Sequence, residues 1–284
     1  MTLADDAHEH GLERVGARPS LARYLAQTWQ RREFIYALAK FRLESETGQT
    51  RLGLGWVVIR PLFLASIYAT IFGILLGGRR PEHFALFVVI GVFMFEFFSS
   101  SFAQGAKSIV ANRGLVRSLS FPRIALPVSV VTQKAIAFIP TIALMLIIVM
   151  ASGIYPRPEW LLLIPLTVIY YFFNVAVSLI TARLTVHFRD LSEIIPVITR
   201  LLFYTSGIFF SFEARFPDFE IGLKVVQFQP INEFLSLARG IVLEGPDYTF
   251  PQIYWLYVII WTVALLIIGV IFFWSAEERY GRAV

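Results

Sequence analysis

Four ionisable residues stand inside long apolar runs of this 284-residue chain, namely Arg60, Glu96, Lys134 and Arg200. A charged side chain at the centre of a membrane costs about 3 kcal/mol, so such residues face a cavity, a partner or one another. The chemistry that they offer is ionic and hydrogen-bonding contact along a polar path.

Polar residues also recur at helical spacing in three of the apolar runs. Positions three and four apart share a helix face, because each residue turns the chain by about 100°. The three stripes are Glu96, Ser100, Gln104 and Lys107; Asn174, Ser178, Thr181 and Thr185; and Arg200, Tyr204, Gly207 and Ser211. Such stripes line a wet path or join helices by hydrogen bonds. The charged first stripe favours a path, whereas both interpretations of the second stripe are open.

Motifs for bond-making chemistry are absent. The sequence has no Gly-Lys dipeptide, so it lacks a phosphate-binding P-loop, and any ATP-driven step needs another chain. It has no cysteine, and its histidines, at positions 8, 10, 83 and 187, do not have metal-ligand spacing. We therefore expect no catalytic residue, no metal site and no cofactor in this chain. The absence of an Asp-x-Asp pair also counts against a membrane glycosyltransferase.

The composition places these residues in membrane-spanning helices. Hydrophobic residues make up 57% of the chain and charged residues only 16%, and about 20 apolar residues form a helix long enough to cross hydrocarbon. The fold class that we predict is an all-α membrane protein with six spans. They are Trp56 to Leu76, Phe84 to Ala106, Ala125 to Ser152, Trp160 to Ala182, Ile194 to Phe212 and Tyr254 to Trp274.

The distribution of basic residues predicts that both termini are cytoplasmic. With that orientation, inner segments carry about 17 Lys and Arg against about 6 in outer ones. Arg79 and Arg80, in the loop after the first span, oppose this orientation. The first twenty residues lack the apolar stretch of a signal peptide, so we expect no cleavage there. The predicted location is the inner, cytoplasmic membrane.

Three segments outside the spans have amphipathic or basic patterns. Residues 20–42 predict a helix in the membrane interface, either a generic anchor or a mechanical element, followed by a polar loop, Glu44 to Thr50. Asn112 to Pro122 is a short basic segment that could dock into a partner or be an ordinary inner loop. We therefore divide the chain into a polar tail, an interface helix with its linker, and a membrane domain, at 1–19, 20–50 and 51–284.

A third amphipathic helix is predicted between the last two spans. Asn232 can cap it, and Gly245 and Pro246 can end it. Its apolar face suggests a lid or re-entrant element, or an interfacial helix that only spaces the spans. The apolar face includes Phe234, Leu237 and Ile241.

Several short motifs resemble those of one membrane-protein family. The sequence Arg51-Leu52-Gly53 with Trp56 and Pro61 resembles the opening signature of type-2 ABC exporter permeases of the polysaccharide class, the Wzm family. Further similar segments are Tyr68, Ile71 to Gly73, Ser108 to Pro127, Arg189-Asp190 and Asn232 to Leu243. The chain departs from the family pattern at Glu44 to Thr50 and at Ser206 to Ile208.

The resemblance implies a homodimer whose twelve helices enclose a channel above two copies of a Wzt-like ATP-binding subunit, which holds ATP and Mg²⁺. It implies export of a lipid-linked polysaccharide such as O-antigen, teichoic acid or galactan, hence a role in lipopolysaccharide biosynthesis or a related pathway. The coupling candidates are then Asn112, Arg113, Leu115, Val116, Arg117 and Phe121. The channel-lining candidates are Tyr68, Phe72, Glu96, Ser100, Gln104, Lys107, Arg200, Tyr204 and Phe209. The gate candidates are Phe234, Leu237 and Ile241.

Two alternative functions remain open on sequence alone. One is a related ABC exporter of drugs or small lipids, which would share the spans. The other is a membrane-embedded lipid-sugar transferase. A neighbouring ATPase gene among glycosyltransferase genes would favour glycan export over both.

Overall fold

The structure is a computed structural model that describes residues 19–48, 51–53, 55–77, 83–118, 121–188, 190–209, 226, 228–245, 248 and 252–277. Every regular element in these ranges is a helix. In chain order they are α1 (Leu21–Gln30), α2 (Arg32–Gly48), α3 (Gly55–Leu76), α4 (Phe84–Lys107), α5 (Arg113–Ser118), α6 (Ala125–Ala151), α7 (Leu163–His187), α8 (Leu191–Thr205), α9 (Pro230–Val242) and α10 (Ile253–Trp274). Short 3-10 turns precede α5 and α7.

Five of the described helices are long and apolar enough to cross a membrane: α3, α4, α6, α7 with its preceding 3-10 turn, and α10. They coincide with five of the six predicted spans, since long apolar runs leave few other ways to satisfy the backbone in lipid. The chain is therefore an all-α, multi-pass membrane protein.

The helix at the fifth predicted span is shorter than expected. Helix α8 has 15 residues, about 22 Å of rise against the ~30 Å of a bilayer core. It ends at Thr205 and not at Phe212, because Gly207 takes a positive φ of 67° that stops the helix. Residues 210–212 of the prediction lie outside the described part of the chain.

Helix α4 is the centre of the bundle. Of its apolar stretch 78% is buried, against 11% for α3, and it packs against α3, α6, α7, α8 and α9. Small residues allow the closest approaches: a Cβ on Gly105 of α4 would clash with Ser178 Oγ of α7. A Cβ on Gly269 of α10 would lie 2.9 Å from the Ala176 carbonyl oxygen of α7. These contacts fix how α4, α7 and α10 pack against one another.

The amino-terminal helices differ from prediction in two ways. The predicted interface helix is two helices, interrupted at Arg31. The predicted loop after it is wrong for Glu44 to Gly48, because α2 continues to Gly48. Two carboxylates explain the extension: Glu44 lies 3.9 Å from Lys40 one turn away, and Glu46 pairs with Lys134 of α6. Aromatic rings are exposed on both helices, among them Trp29 of α1 and Tyr36 and Phe41 of α2.

Candidate functional site

A cleft of about 450 Å³ opens between α3, α4 and α8. It brings together six of the nine lining candidates, from all three helices: Tyr68, Glu96, Ser100, Gln104, Arg200 and Tyr204. The polar stripes of α4 and α8 therefore face each other, and the cleft offers a carboxylate, a guanidinium, an amide and hydroxyl groups. The sequence did not indicate Thr199 or Phe203, which also line it.

An aromatic cluster lies beside the cleft, where α3 approaches the end of α8. Phe72 and Phe209 stack with ring centroids 4.0 Å apart and planes 12° from parallel. The ring centroid of Tyr68 lies 5.1 Å from that of Phe209 and 5.2 Å from that of Phe203. The remaining lining candidate, Lys107, is exposed at the carboxyl end of α4 and is not among the residues that line the cleft.

Glu96 lies in the wall between this cleft and a second cavity of about 440 Å³. The second cavity lies between the end of α2, the start of α3, and the middle of α4 and α6. Arg60 and Lys134 line it and act electrostatically on Glu96. Lys134 Nζ also lies 2.9 Å from Glu46 Oε2. The four intramembrane charges named from the sequence therefore all line one cavity or the other, as expected.

The polar stripe of α7 joins helices. Asn174, Ser178, Thr181 and Thr185 are all buried. Ser178 Oγ donates to the carbonyl of Ser101 on α4 at 3.2 Å, and Asn174 Nδ2 donates to the Tyr170 carbonyl of its own helix at 2.8 Å. Within the described part of the chain, this stripe packs α7 against α4 and does not line the cleft.

The coupling candidates lie on and around the short helix α5. Arg113 is exposed, Leu115 is half-buried and Val116 is buried, so the segment presents a basic face on an apolar base. The side chain of Arg117 lies outside the described residues. The Nδ2 of Asn112, just before α5, donates to the Ser108 carbonyl at 2.6 Å, at the end of α4.

Just after α5, a hydrogen-bonded junction ties three distant parts of the chain together. Glu277, beyond α10, accepts from the Arg123 backbone N–H at 3.0 Å and from Tyr24 of α1 at 2.7 Å. The Tyr24 hydroxyl in turn accepts from the Ile124 N–H at 3.1 Å. Burial raises the pKa of Glu277, and these hydrogen bonds partly offset the rise. The ring of Phe121 packs against that of Phe34 of α2, with the ring centroids 5.4 Å apart. No local pattern in the sequence indicated Tyr24 or Glu277, because their partners are about 100 or more residues away.

Helix α9 begins at Pro230, two residues before the predicted cap Asn232, since proline at the first position of a helix needs no N–H partner. The gate candidates Phe234, Leu237 and Ile241 are buried in the core, where the Phe234 ring lies 4.4 Å from that of Tyr170. Their gating role stays a prediction.

Two arginines anchor α9. Arg239 is buried and donates to the carbonyls of Phe87, Gly207 and Ile208. Burial lowers its pKa to about 9, which leaves it charged at neutral pH. Arg157, from the α6–α7 connection, donates to the Leu243 carbonyl at 3.2 Å and pairs with Glu244 at 3.0 Å. Helix α9 is thus held to α4 and to the turn that follows α8.

Comparison with known proteins identifies the scaffold around this cleft. The sequence profile of the ABC-2 type transporter family matches residues 33–226, which include every helix that lines the cleft and both the α4–α6 and α7–α8 connections. That match covers more than half of the chain. The chain belongs to the ABC-2 type transporter family.

Curated ABC-2 relatives resemble this chain over most of its length. It is 28% identical over 233 residues to the O-antigen export system permease protein RfbA of Klebsiella pneumoniae, covering 81% of this chain and 87% of the relative. It is 25% identical over 260 residues to a permease of the same name from Myxococcus xanthus, covering 92% and 96%. Identity to the polysialic acid transport protein KpsM of Escherichia coli is 23% over 246 residues, covering 86% and 93%. The predicted resemblance is therefore confirmed at the level of family.

Proposed function

We propose that this chain is the transmembrane subunit of an ABC transporter that exports a lipid-linked polysaccharide across the cytoplasmic membrane. The observation that carries the proposal is the polar and aromatic cleft between α3, α4 and α8 in an ABC-2 protein. Its relatives are named as O-antigen export permeases and a polysialic acid transport protein. ATP hydrolysis takes place in a separate subunit that holds ATP and Mg²⁺.

The chemistry of the cleft suits a glycan. Sugar hydroxyls need both donors and acceptors, which Arg200, Gln104 and Glu96 supply, while aromatic rings such as Tyr68 stack on the apolar faces of sugars. The side chains of the cleft are neither purely apolar, as a drug or lipid site would be, nor arranged around a catalytic group. Export of small apolar compounds and transferase activity are therefore the weaker candidates.

The cleft is completed by a second copy of the chain. Helix α3 is the least buried of the five long helices, and on α8 the side chains of Val197, Leu201 and Tyr204 are 49–68% exposed. A homodimer that covers these faces turns two open clefts into one closed channel. Helix α8, with the residues that follow it, forms the fifth of six spans in each copy. Both termini are cytoplasmic.

The remaining elements have mechanical roles in this proposal. Helix α5 with Phe121 docks into the ATP-binding subunit, of which two Wzt-like copies serve one dimer. Helices α1 and α2 lie in the membrane interface and transmit movement through the Tyr24–Glu277–Arg123 junction. The segment around Phe234, Leu237 and Ile241 forms the outer gate.

Deletion of the gene tests the proposal. We expect lipid-linked polysaccharide to accumulate inside the cell and to disappear from the surface, and a plasmid copy to restore export. Inactivation of the partner ATPase should give the same phenotype, and the purified chain alone should hydrolyse no ATP above a contaminant control. Normal surface polysaccharide in the deletion strain would contradict the proposed substrate.

A further inference from the structure

The second cavity, between α2, α3, α4 and α6, is not needed as part of the channel. Its walls are mostly apolar, with Trp56, Phe93 and Phe138 among them. Its charged groups are Arg60, Lys134, Glu46 and Glu96. In the proposed orientation Arg60 is about 8 Å and Lys134 about 14 Å from the inner ends of their helices. The cavity therefore lies in the inner half of the membrane.

The two cations of this cavity are in different situations. The Lys134 side chain is 10% exposed, and its ammonium group is paired with Glu46. In the described part of the chain, no carboxylate lies within ion-pair distance of Arg60. Two positive and two negative groups make the cavity neutral. One of the two carboxylates can move out of the cavity without any change in a membrane-spanning helix.

Glu46 is that carboxylate. It projects from the last turn of α2, a surface helix, and its side chain is 48% exposed, whereas Glu96 is fixed on the central helix α4. A buried ammonium group needs a counter-charge, and any anion that replaces Glu46 beside Lys134 leaves the net charge unchanged. Glu46 therefore occupies a position in which an external anion could bind.

The residues around Lys134 indicate the chemical class of that anion. The guanidinium of Arg60 provides a planar array of N–H donors that matches a phosphate better than a halide. A cavity of about 440 Å³ is within the range of small-molecule sites and far larger than a free phosphate needs. The aromatic and aliphatic walls suit a hydrocarbon chain.

We propose that this cavity binds the phosphate group of a membrane lipid, which displaces the Glu46 carboxylate from Lys134 and is also held by Arg60. The lipid chain lies along the apolar wall that includes Trp56 and Phe138. Glu96 and Ser100 line both this cavity and the channel cleft, so the bound lipid sits next to the translocation path. The inference depends on the proposed orientation but not on polysaccharide being the substrate.

Lipid binding to the purified chain tests the site, with native mass spectrometry as the readout. The probes are phosphatidic acid, a polyprenyl monophosphate and inorganic phosphate, with phosphatidylcholine as the uncharged comparison. We expect Lys134→Gln and Arg60→Gln each to weaken binding of the phosphate lipids at least about tenfold, because each change removes a charge-assisted hydrogen bond to the phosphate. Lys134→Arg keeps the charge and should retain most of the binding.

Glu46→Gln gives the sharpest result, since it removes the competing carboxylate and should strengthen lipid binding several-fold. A purely structural ion pair predicts the opposite. Matched controls come from the exposed pair on the same helix: Lys40→Gln and Glu44→Gln should leave binding unchanged. A preference for phosphatidic acid identifies a bulk lipid as the ligand, and a preference for the polyprenyl phosphate identifies a substrate carrier.

The proposal is overturned if Glu46→Gln binds lipid no more tightly than the unaltered chain, or if Lys40→Gln weakens binding as much as Lys134→Gln. Competition by inorganic phosphate at the same concentration as the lipids would contradict the role of the apolar wall. Because the readout is binding by the isolated chain, a failure of polysaccharide export to depend on this protein leaves the result interpretable.

Discussion

Glu96 is the residue that best links the sequence to the site. Its charge in an apolar run was sufficient to predict that it faces a cavity, and it lines both cavities. Its neighbours were only partly predictable. Arg60 and Lys134 stand out in apolar runs for the same reason, but Glu46 lies in a polar segment that local patterns predict as a loop. The free-energy cost of a charged side chain in lipid can be derived from sequence, whereas the residue that it pairs with depends on how the helices pack.

Glu233 gives a residue-scale prediction of pH dependence. Both of its carboxylate oxygens are buried without a hydrogen-bond partner in the described part of the chain, and burial raises its pKa to about 7. The folded protein thus holds this proton more tightly than the unfolded chain, whose carboxyl titrates near 4.5. The contribution to stability is full below pH 4.5 and is lost as pH rises through 7. We expect the melting temperature of the purified protein to fall over that range, and Glu233→Gln, which stays neutral, to make the fall shallower.

The exposed Glu44 is the matched control for this measurement. Glu44→Gln should melt with the same pH dependence as the unaltered protein. If Glu233→Gln and the unaltered protein show equal slopes between pH 4.5 and 8, then Glu233 is not the group that titrates.

At the scale of helices, the predicted spans agree with the structure where a run is long and apolar, even where it contains one charged residue. The first four and the last predicted spans begin and end within about five residues of the observed helices, because few alternatives exist for such runs in lipid. The prediction failed where apolar residues continue past a turn. Gly207 ends α8 although aromatic residues follow it, and only the positive φ of that glycine reveals the end.

The residues that line the cleft could be predicted in part. Helical spacing places Glu96, Ser100 and Gln104 on one face of α4, but it cannot specify which helix that face meets. The polar stripe of α7 has equally good spacing and is buried against α4 through Ser178. Sequence spacing thus identifies the polar faces of helices, and tertiary packing decides whether such a face lines a cavity or is buried against another helix.

Helix α5 carries an element-scale prediction. Arg113 is exposed on a two-turn segment between α4 and α6, so Arg113→Glu and Arg117→Glu should abolish polysaccharide export and the transport-linked rise in ATPase activity. Reversing a charge at a desolvated contact leaves the partner's group repelled, which costs several kcal/mol, whereas the same change in solvent costs little. Surface polysaccharide and ATP turnover of the complex are the measurements.

Membrane insertion and dimer formation should survive these changes, because the first 55 residues alone carry about eight basic residues. Lys40→Glu, an exposed charge reversal on α2, is the control and should export normally. Normal export and ATP turnover in both α5 variants would show that the segment is an ordinary basic loop.

At the scale of the whole molecule, the proposed channel needs more than one copy of this chain. Its cleft is open on one side, and α3 and α8 expose apolar and aromatic side chains beside it. The residues that match the ABC-2 profile include α3 through α8. The sequence contains no P-loop. The proposed assembly of two copies with two ATP-binding subunits supplies both missing parts.

Cysteine accessibility can show whether this cleft lines the path of the polysaccharide, because the sequence contains no cysteine of its own. Single cysteines at Ser100 and Thr199, in cells with the partner ATPase, would be treated with a charged, water-soluble thiol reagent and compared with Ile267→Cys on the outer face of α10. We expect the reagent to modify both cleft positions and to block polysaccharide export, while the Ile267 position stays unmodified and export continues. Cleft cysteines that resist the reagent, or that are modified without any loss of export, would contradict it.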